Sequence, residues 1–422
     1  MRGTVASVED GQALGRELRD ADVEAVLVLQ SLAVMPAYTT AALREVPELP
    51  LVVWTVNRRR RVPPDFDHSA ITSEGATVGT PMLTNTLVRS GRPFELVVGL
   101  VDDDAVLDAI AGALRAGAVA TRLRRARVGR VGPVFQGYDC VDADDDRLRA
   151  AIGVEPVRID ADEVRELYLA VDDARVEELA RETRELYDVD AGAEEADTWT
   201  RTMRAAVAIE DLVERHRLDA GAINCHVPEI RFGEEVAIAP CFGIGRQTSR
   251  GIPWACAGDV VTAIAMLTVK LLGGAAQYHE LESLDYDTGE LVIASSGEHD
   301  LSFAGERPKL IRNLWYDKDP HCGACACFAA PKGAATLVGF TQIDAPEPGY
   351  RYVVAPGEFT GTGWPGVGTP YAAFRFGSGD ALGAWTRWCR AGANHHSAAT
   401  PGDYSGAVAS VARFLGVDAI EV

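Results

Sequence analysis

Two rhythms of apolar and polar positions run along this chain. Through about the first hundred residues, apolar runs of strand length alternate with stretches of helical spacing. "VEAVLVLQSL", "LPLVVWTVN" and "FELVVGLV" read as strands buried on both faces, the pattern of a parallel sheet. Between and after them, "TTAALREV", "TPMLTNTLVRSG" and "DDAVLDAIAGALRAGAVATRLRRA" read as helices. A second strand–helix unit starts at "RVGRVGPVF" and continues through the strand "PVRID". The helices "DEVRELYLAVDDARVEELARETREL" and "TRTMRAAVAIEDLVERHRL" and the strand "AGAINCHV" follow. The polar stretch "YDVDAGAEEADTWT" reads as a surface loop between those helices.

After about residue 273 the rhythm changes. "GAAQYHELESLDYDTGELVIASSG" reads as strand, Asp-Thr-Gly turn, strand. "GAATLVGFTQIDAPEPGYRYVVAPGEF" and "TPYAAFRFG" continue in short strands, and "DALGAWTRWCRAG" and "YSGAVASVARFLGV" close the chain as helices. The expected fold is α/β, with two Rossmann-like α/β domains over 1–125 and 126–272 and a β-rich, antiparallel barrel-like domain over 273–422.

Composition narrows the function. The net charge of −21 over 422 residues argues against a nucleic-acid surface. The run Arg58–Arg61 reads as a solvated loop. No apolar run reaches the length a membrane helix needs, and the N-terminal stretch lacks the pattern of a signal peptide, so a cytoplasmic location without membrane partners is expected. The eight cysteines are expected to be reduced. In "DPHCGACACF" one C-x2-C pair occurs without a second, and the core-strand reading is preferred to a zinc site.

Four places concentrate chemistry. "GIPWACAGDV" is a tight turn feeding the apolar run "VTAIAMLTVKLL", with Asp259 where a helix cap sits. In "YHELESLDYD", Glu280 and Glu282 share one strand face and His279 lies on the other. In "AGANHHSAATPGDY", the adjacent His395 and His396 lie in a glycine-bounded loop and cannot both face one side. "SSGEHDLSF" carries Glu298, His299 and Asp300 and reads by itself as a polar turn.

Taken in order, "AINCHVPEI", "APCFGIG", "PWACAGDVVTAIAMLTVKLLGGAAQYHELESLDYDTGELVIASSG" and "GANHHSAATPGDY" resemble the L-fucose isomerase and L-arabinose isomerase superfamily. The resemblance is clearest from Ala222 to Asp403. It implies a homo-oligomer, trimer or hexamer, that interconverts an aldose and a ketose through an enediol. It also implies a divalent metal, usually manganese, held by two carboxylates and one or two histidines. Glu280 matches the strand acid, a metal ligand and acid/base candidate. His396 matches the metal histidine, with His395 beside it as an alternative or a sugar contact. Asp259 matches a structural aspartate, and Arg246 and Trp254 are candidate sugar contacts.

Two positions depart from the pattern. Ala257 stands where the resemblance implies a metal-binding glutamate. Ser295 and Ser296 stand where some members carry a histidine, with Glu298 and His299 just beyond. Three readings stay open: an inactivated variant, a branch in which Glu298 or His299 supplies the missing group, or a non-catalytic sugar-binding or regulatory protein on the same scaffold.

Overall fold

A computed structural model of the chain describes residues 5–313 and 319–422. The chain folds into two compact units, Met1–Arg122 with Ser410–Gly416, and Leu123–Ala409 with Val417–Val422. Among the described residues, no helix is long and apolar enough to cross a membrane.

The first unit is built on a three-stranded parallel sheet of β1 (Val26–Gln30), β2 (Leu51–Asn57) and β3 (Glu95–Leu100), in that order. The central strand is buried from Leu51 to Thr55, which accounts for its unbroken apolar run. Leu51 and Val53 pack with Val46, Leu83 and Leu87. The arginine run after β2 is exposed, and Arg59 pairs with Glu74 at 2.6 Å.

The second unit starts with β4 (Arg127–Val131) and β5 (Glu155–Ile159). The stretch expected as one charged helix is two, Ala161–Ala170 and Asp173–Leu186. The break has a local cause. Val171 is extended, and the Asp172 carboxylate accepts the Ala174 N–H at 2.9 Å, so a new helix starts there. The stretch expected as a surface loop contains β6 (Asp188–Val189). With β7 (Ala220–Ile223) and β8 (Trp254–Ala255) the four-stranded parallel sheet is complete, in the order β5-β4-β7-β8.

The remaining strands are β9 (Gln277–Leu284), β10 (Leu291–Ala294), β11 (Lys309–Arg312), β12 (Ala324–Cys327), β13 (Gly333–Ile343), β14 (Gly349–Phe359), β15 (Tyr371–Phe376), β16 (His396–Pro401) and β17 (Asp418–Glu421). The antiparallel order β13-β16-β9-β10-β15-β14 closes back onto β13 and makes a six-stranded barrel, with β17 added in parallel to β14. Closure leaves no free edge between these strands. β12, β11 and β6 form a small separate sheet.

One helix ties the parallel sheet to the barrel. Val260–Leu271 is buried at every position from Val260 to Val269, as a helix apolar all round must be. It packs on β4, β7 and β8 on one side and on β9, β13 and β16 on the other. Its N-terminus is thereby fixed where the two sheets meet.

Candidate active site

The turn before this helix starts the site. The Asp259 N–H donates to the Cys256 carbonyl at 3.0 Å, and between them Ala257 (φ 55°) and Gly258 (φ 76°) are both left-handed. Glycine adopts that conformation freely, whereas alanine in it costs about 1–2 kcal/mol. The Ala257 carbonyl accepts the Phe135 N–H at 3.0 Å, which pins the loop after β4 over the turn. Asp259 then caps the helix, accepting from the Thr262 N–H at 2.8 Å and the Thr262 hydroxyl at 2.7 Å.

The same carboxylate holds a histidine. His396 Nδ1 lies 2.8 Å from Asp259 Oδ2, and both side chains are buried. A carboxylate only accepts, so Nδ1 carries the hydrogen and Nε2 is left as the free nitrogen. Nε2 faces Glu280 Oε1 at 3.8 Å. Register explains this meeting. His396 is the cross-strand partner of Glu280 and Ser397 of His279, so the first pair shares one face and the second pair the other. His279 is accordingly spent on structure. Its Nε2 meets the Ser397 hydroxyl at 3.0 Å, and burial pushes its pKa down to about 3. Glu282 shares the Glu280 face but is exposed.

Burial raises the Glu280 pKa above its ordinary value. The His396 ring opposes that shift and the Glu298 carboxylate adds to it, while the Tyr278 hydroxyl donates to Glu280 Oε1 at 3.4 Å. The His395 ring lies 4.0 Å from that of His396 and edge-on to Tyr138 at 5.6 Å. Burial, with His396 beside it, lowers the His395 pKa to about 4. Phe135 packs on Tyr138 and on His226, each at 4.8 Å. Tyr138, Phe135 and His226 were not expected at the site from sequence. They come from loops after β4 and β7, and the only hint available was their place just beyond the carboxyl ends of parallel strands.

The remaining candidates divide. Glu298 is buried, 1% exposed, with the Cys241 and Cys256 thiols beside it, and burial raises its pKa. His299 turns elsewhere, with Nε2 2.7 Å from the Tyr187 hydroxyl, and burial lowers its pKa to about 4. Ser295 is used within the turn, its hydroxyl donating to the Glu298 carbonyl at 2.7 Å, and the Ser296 carbonyl accepts from Asn313 at 2.7 Å. Arg246 is paired with Glu182 at 2.8 Å. Trp254 is fully buried against Gly221, where a Cβ would come within 2.6 Å of its ring.

Among the described residues, no group of three or more His, Cys, Asp and Glu side chains is arranged to hold a metal ion. Glu280 and His396 are a facing pair of donors, and the Ala257 side chain adds none. The donor set therefore falls short of the two carboxylates and a histidine that the resemblance implies.

What remains is a class of site, a carboxylate and an oriented imidazole facing each other beside the N-terminus of the Val260–Leu271 helix, suited to moving protons. The chain is similar to a sulfoquinovose isomerase from Priestia aryabhattai, at 24% identity over 368 residues, which is 86% of this chain and 78% of that protein. It is similar to the same extent to a sulfoquinovose isomerase from Priestia megaterium (strain ATCC 12872 / QMB1551). No protein-family model matches. Among solved structures, D-threo-3-hydroxyaspartate dehydratase from Delftia sp. HT23 aligns at 14% identity with a TM-score of 0.13, covering 98% of this chain and 92% of that one.

Proposed function

We propose that this chain is a sugar isomerase that interconverts an aldose and a ketose through an enediol, with sulfoquinovose the first substrate to try. The observation that carries the reading is the Glu280–His396 pair, placed by strand register and oriented by Asp259. The similarity to sulfoquinovose isomerases over most of the chain supports it.

The reaction needs two proton movements, from C2 to C1 and from the C2 oxygen to the C1 oxygen. Glu280 takes the C2 proton and returns it to C1. Its raised pKa makes it a stronger base than an exposed carboxylate. His396 relays the proton between the two oxygens through Nε2, while Asp259 holds Nδ1–H and stabilises the charge that develops on the ring. Tyr138, Phe135 and His395 offer an aromatic wall for the sugar. Among the described residues no group of side chains is arranged to hold a divalent cation, and these steps are written for the chain's own side chains.

The test is turnover of an aldose panel, sulfoquinovose included, in deuterium oxide, with manganese and with chelator in separate arms. Ketose carrying deuterium at C1 is expected, and Glu280→Gln should lower kcat by about 10²–10⁴-fold. Saturable sugar binding with no ketose in any arm would instead point to a non-catalytic sugar-binding protein.

A further inference from the structure

We propose that Glu298 supplies the second carboxyl of this site, replacing the one that Ala257 cannot carry; the proposal rests on the sugar-isomerase reading. Glu298 is 1% exposed, and neither of its carboxyl oxygens has a hydrogen-bond partner. Burying a carboxyl that makes no full hydrogen bond and has only weakly donating thiols beside it is costly, and such a group is a candidate for contact with something other than its own chain.

Its backbone is locked to the strand that carries Glu280. The Glu298 carbonyl accepts from the Ser295 hydroxyl at 2.7 Å and from Gln277 Nε2 at 2.8 Å. Gln277 opens β9, and the Asp300 N–H donates to its Oε1 at 2.9 Å, so the backbone from the Glu298 carbonyl to Asp300 is tied to one side chain. Ala294, where β10 ends and this turn begins, is the cross-strand partner of Glu280.

The side chain is aimed at the turn that lacks a carboxylate. Cys241 and Cys256 lie beside the carboxyl, and Cys256 immediately precedes Ala257. Gly297 permits this approach. It is left-handed at φ 130°, and a Cβ there would meet Cys325 at 2.9 Å and Cys241 at 3.2 Å. The carboxyl missing from residue 257 is thus matched by an unpartnered one beside the neighbouring residue. His299 cannot take the role, because its Nε2 is engaged by Tyr187 at 2.7 Å.

Three variants of the full chain, Glu298→Gln, Ala257→Glu and the double variant, test the proposal by aldose–ketose turnover and thermal melting. Glu298→Gln should melt like the parent and lose about 100-fold or more in kcat, and adding Ala257→Glu should recover about tenfold or more. Ala257→Glu alone should give no gain, since the site already has its second carboxyl. Retained activity in Glu298→Gln, no recovery in the double variant, or a large gain from Ala257→Glu alone would each overturn the proposal. The last readout does not depend on Glu298→Gln folding. A parent chain that turns over no sugar removes the isomerase reading and this proposal with it. An active parent whose Glu298→Gln variant is equally active removes this proposal alone.

Discussion

The Asp259 carboxylate does two jobs with one geometry. It caps a buried helix through Thr262, and it holds His396 Nδ1 so that Nε2 faces Glu280. Asparagine caps nearly as well as aspartate but cannot stabilise an imidazolium. Asp259→Asn should therefore cost about 1 kcal/mol in stability by urea denaturation and a larger share of activity, about 10–100-fold in kcat. Unchanged activity would mean that Asp259 acts only as a cap. The neighbouring Ala257 gives the opposite sign. Its left-handed backbone is strained and its methyl group donates nothing, so Ala257→Gly should raise stability by about 1 kcal/mol. A drop in the urea midpoint would show that the methyl packing outweighs the strain.

At the scale of elements, the parallel strands were legible because they are buried on both faces and written in unbroken apolar runs. β16 was not legible. "HSAATP" is short, small and polar, and was read as part of a loop. It is nevertheless buried from His396 to Thr400 between β9 and β13 and against the Val260–Leu271 helix. Small residues suit a strand so enclosed, and they carry no alternation to read. The Glu280–His396 pairing depends on that strand's register, a contact over more than a hundred residues of sequence that no local pattern encodes. Glu280 and His396 themselves were named from the order of motifs, whereas the orphaned carboxyl of Glu298 required the fold. Close packing also sets a limit on the parallel sheet. Gly221→Ala would place a methyl 2.6 Å from the Trp254 ring, and Trp254 is fully buried on the adjacent strand. A loss of about 1–3 kcal/mol is expected on thermal or urea unfolding. An unchanged midpoint would mean that β8 can shift to make room.

For the whole chain, buried histidines set how stability depends on pH. His279 and His299 are enclosed as neutral rings, with pKa values pushed down to about 3 and about 4 from 6.5 by burial. Above pH 6.5 neither the folded nor the unfolded chain protonates them, and they contribute no slope. Below it the unfolded chain takes up protons that the folded chain refuses. Stability then falls with falling pH by up to about 1.4 kcal/mol per unit for each ring, until the folded pKa is reached. The raised carboxyls of Glu280 and Glu298 act in the other direction. From their ordinary 4.5 upward the folded chain holds protons that the unfolded chain has released, so their stabilisation is lost as pH rises through that window. The two groups offset each other between about 4.5 and 6.5, and the total curve hides both. A difference measurement separates them. In His279→Gln an amide can take the place of the imidazole beside Ser397 without titrating. Its stability relative to the parent should be constant above about pH 7 and should improve by about 1 kcal/mol per unit as pH falls from 6.5 toward 4.5. A pH-independent difference would mean that His279 protonates as readily in the folded chain as in the unfolded one.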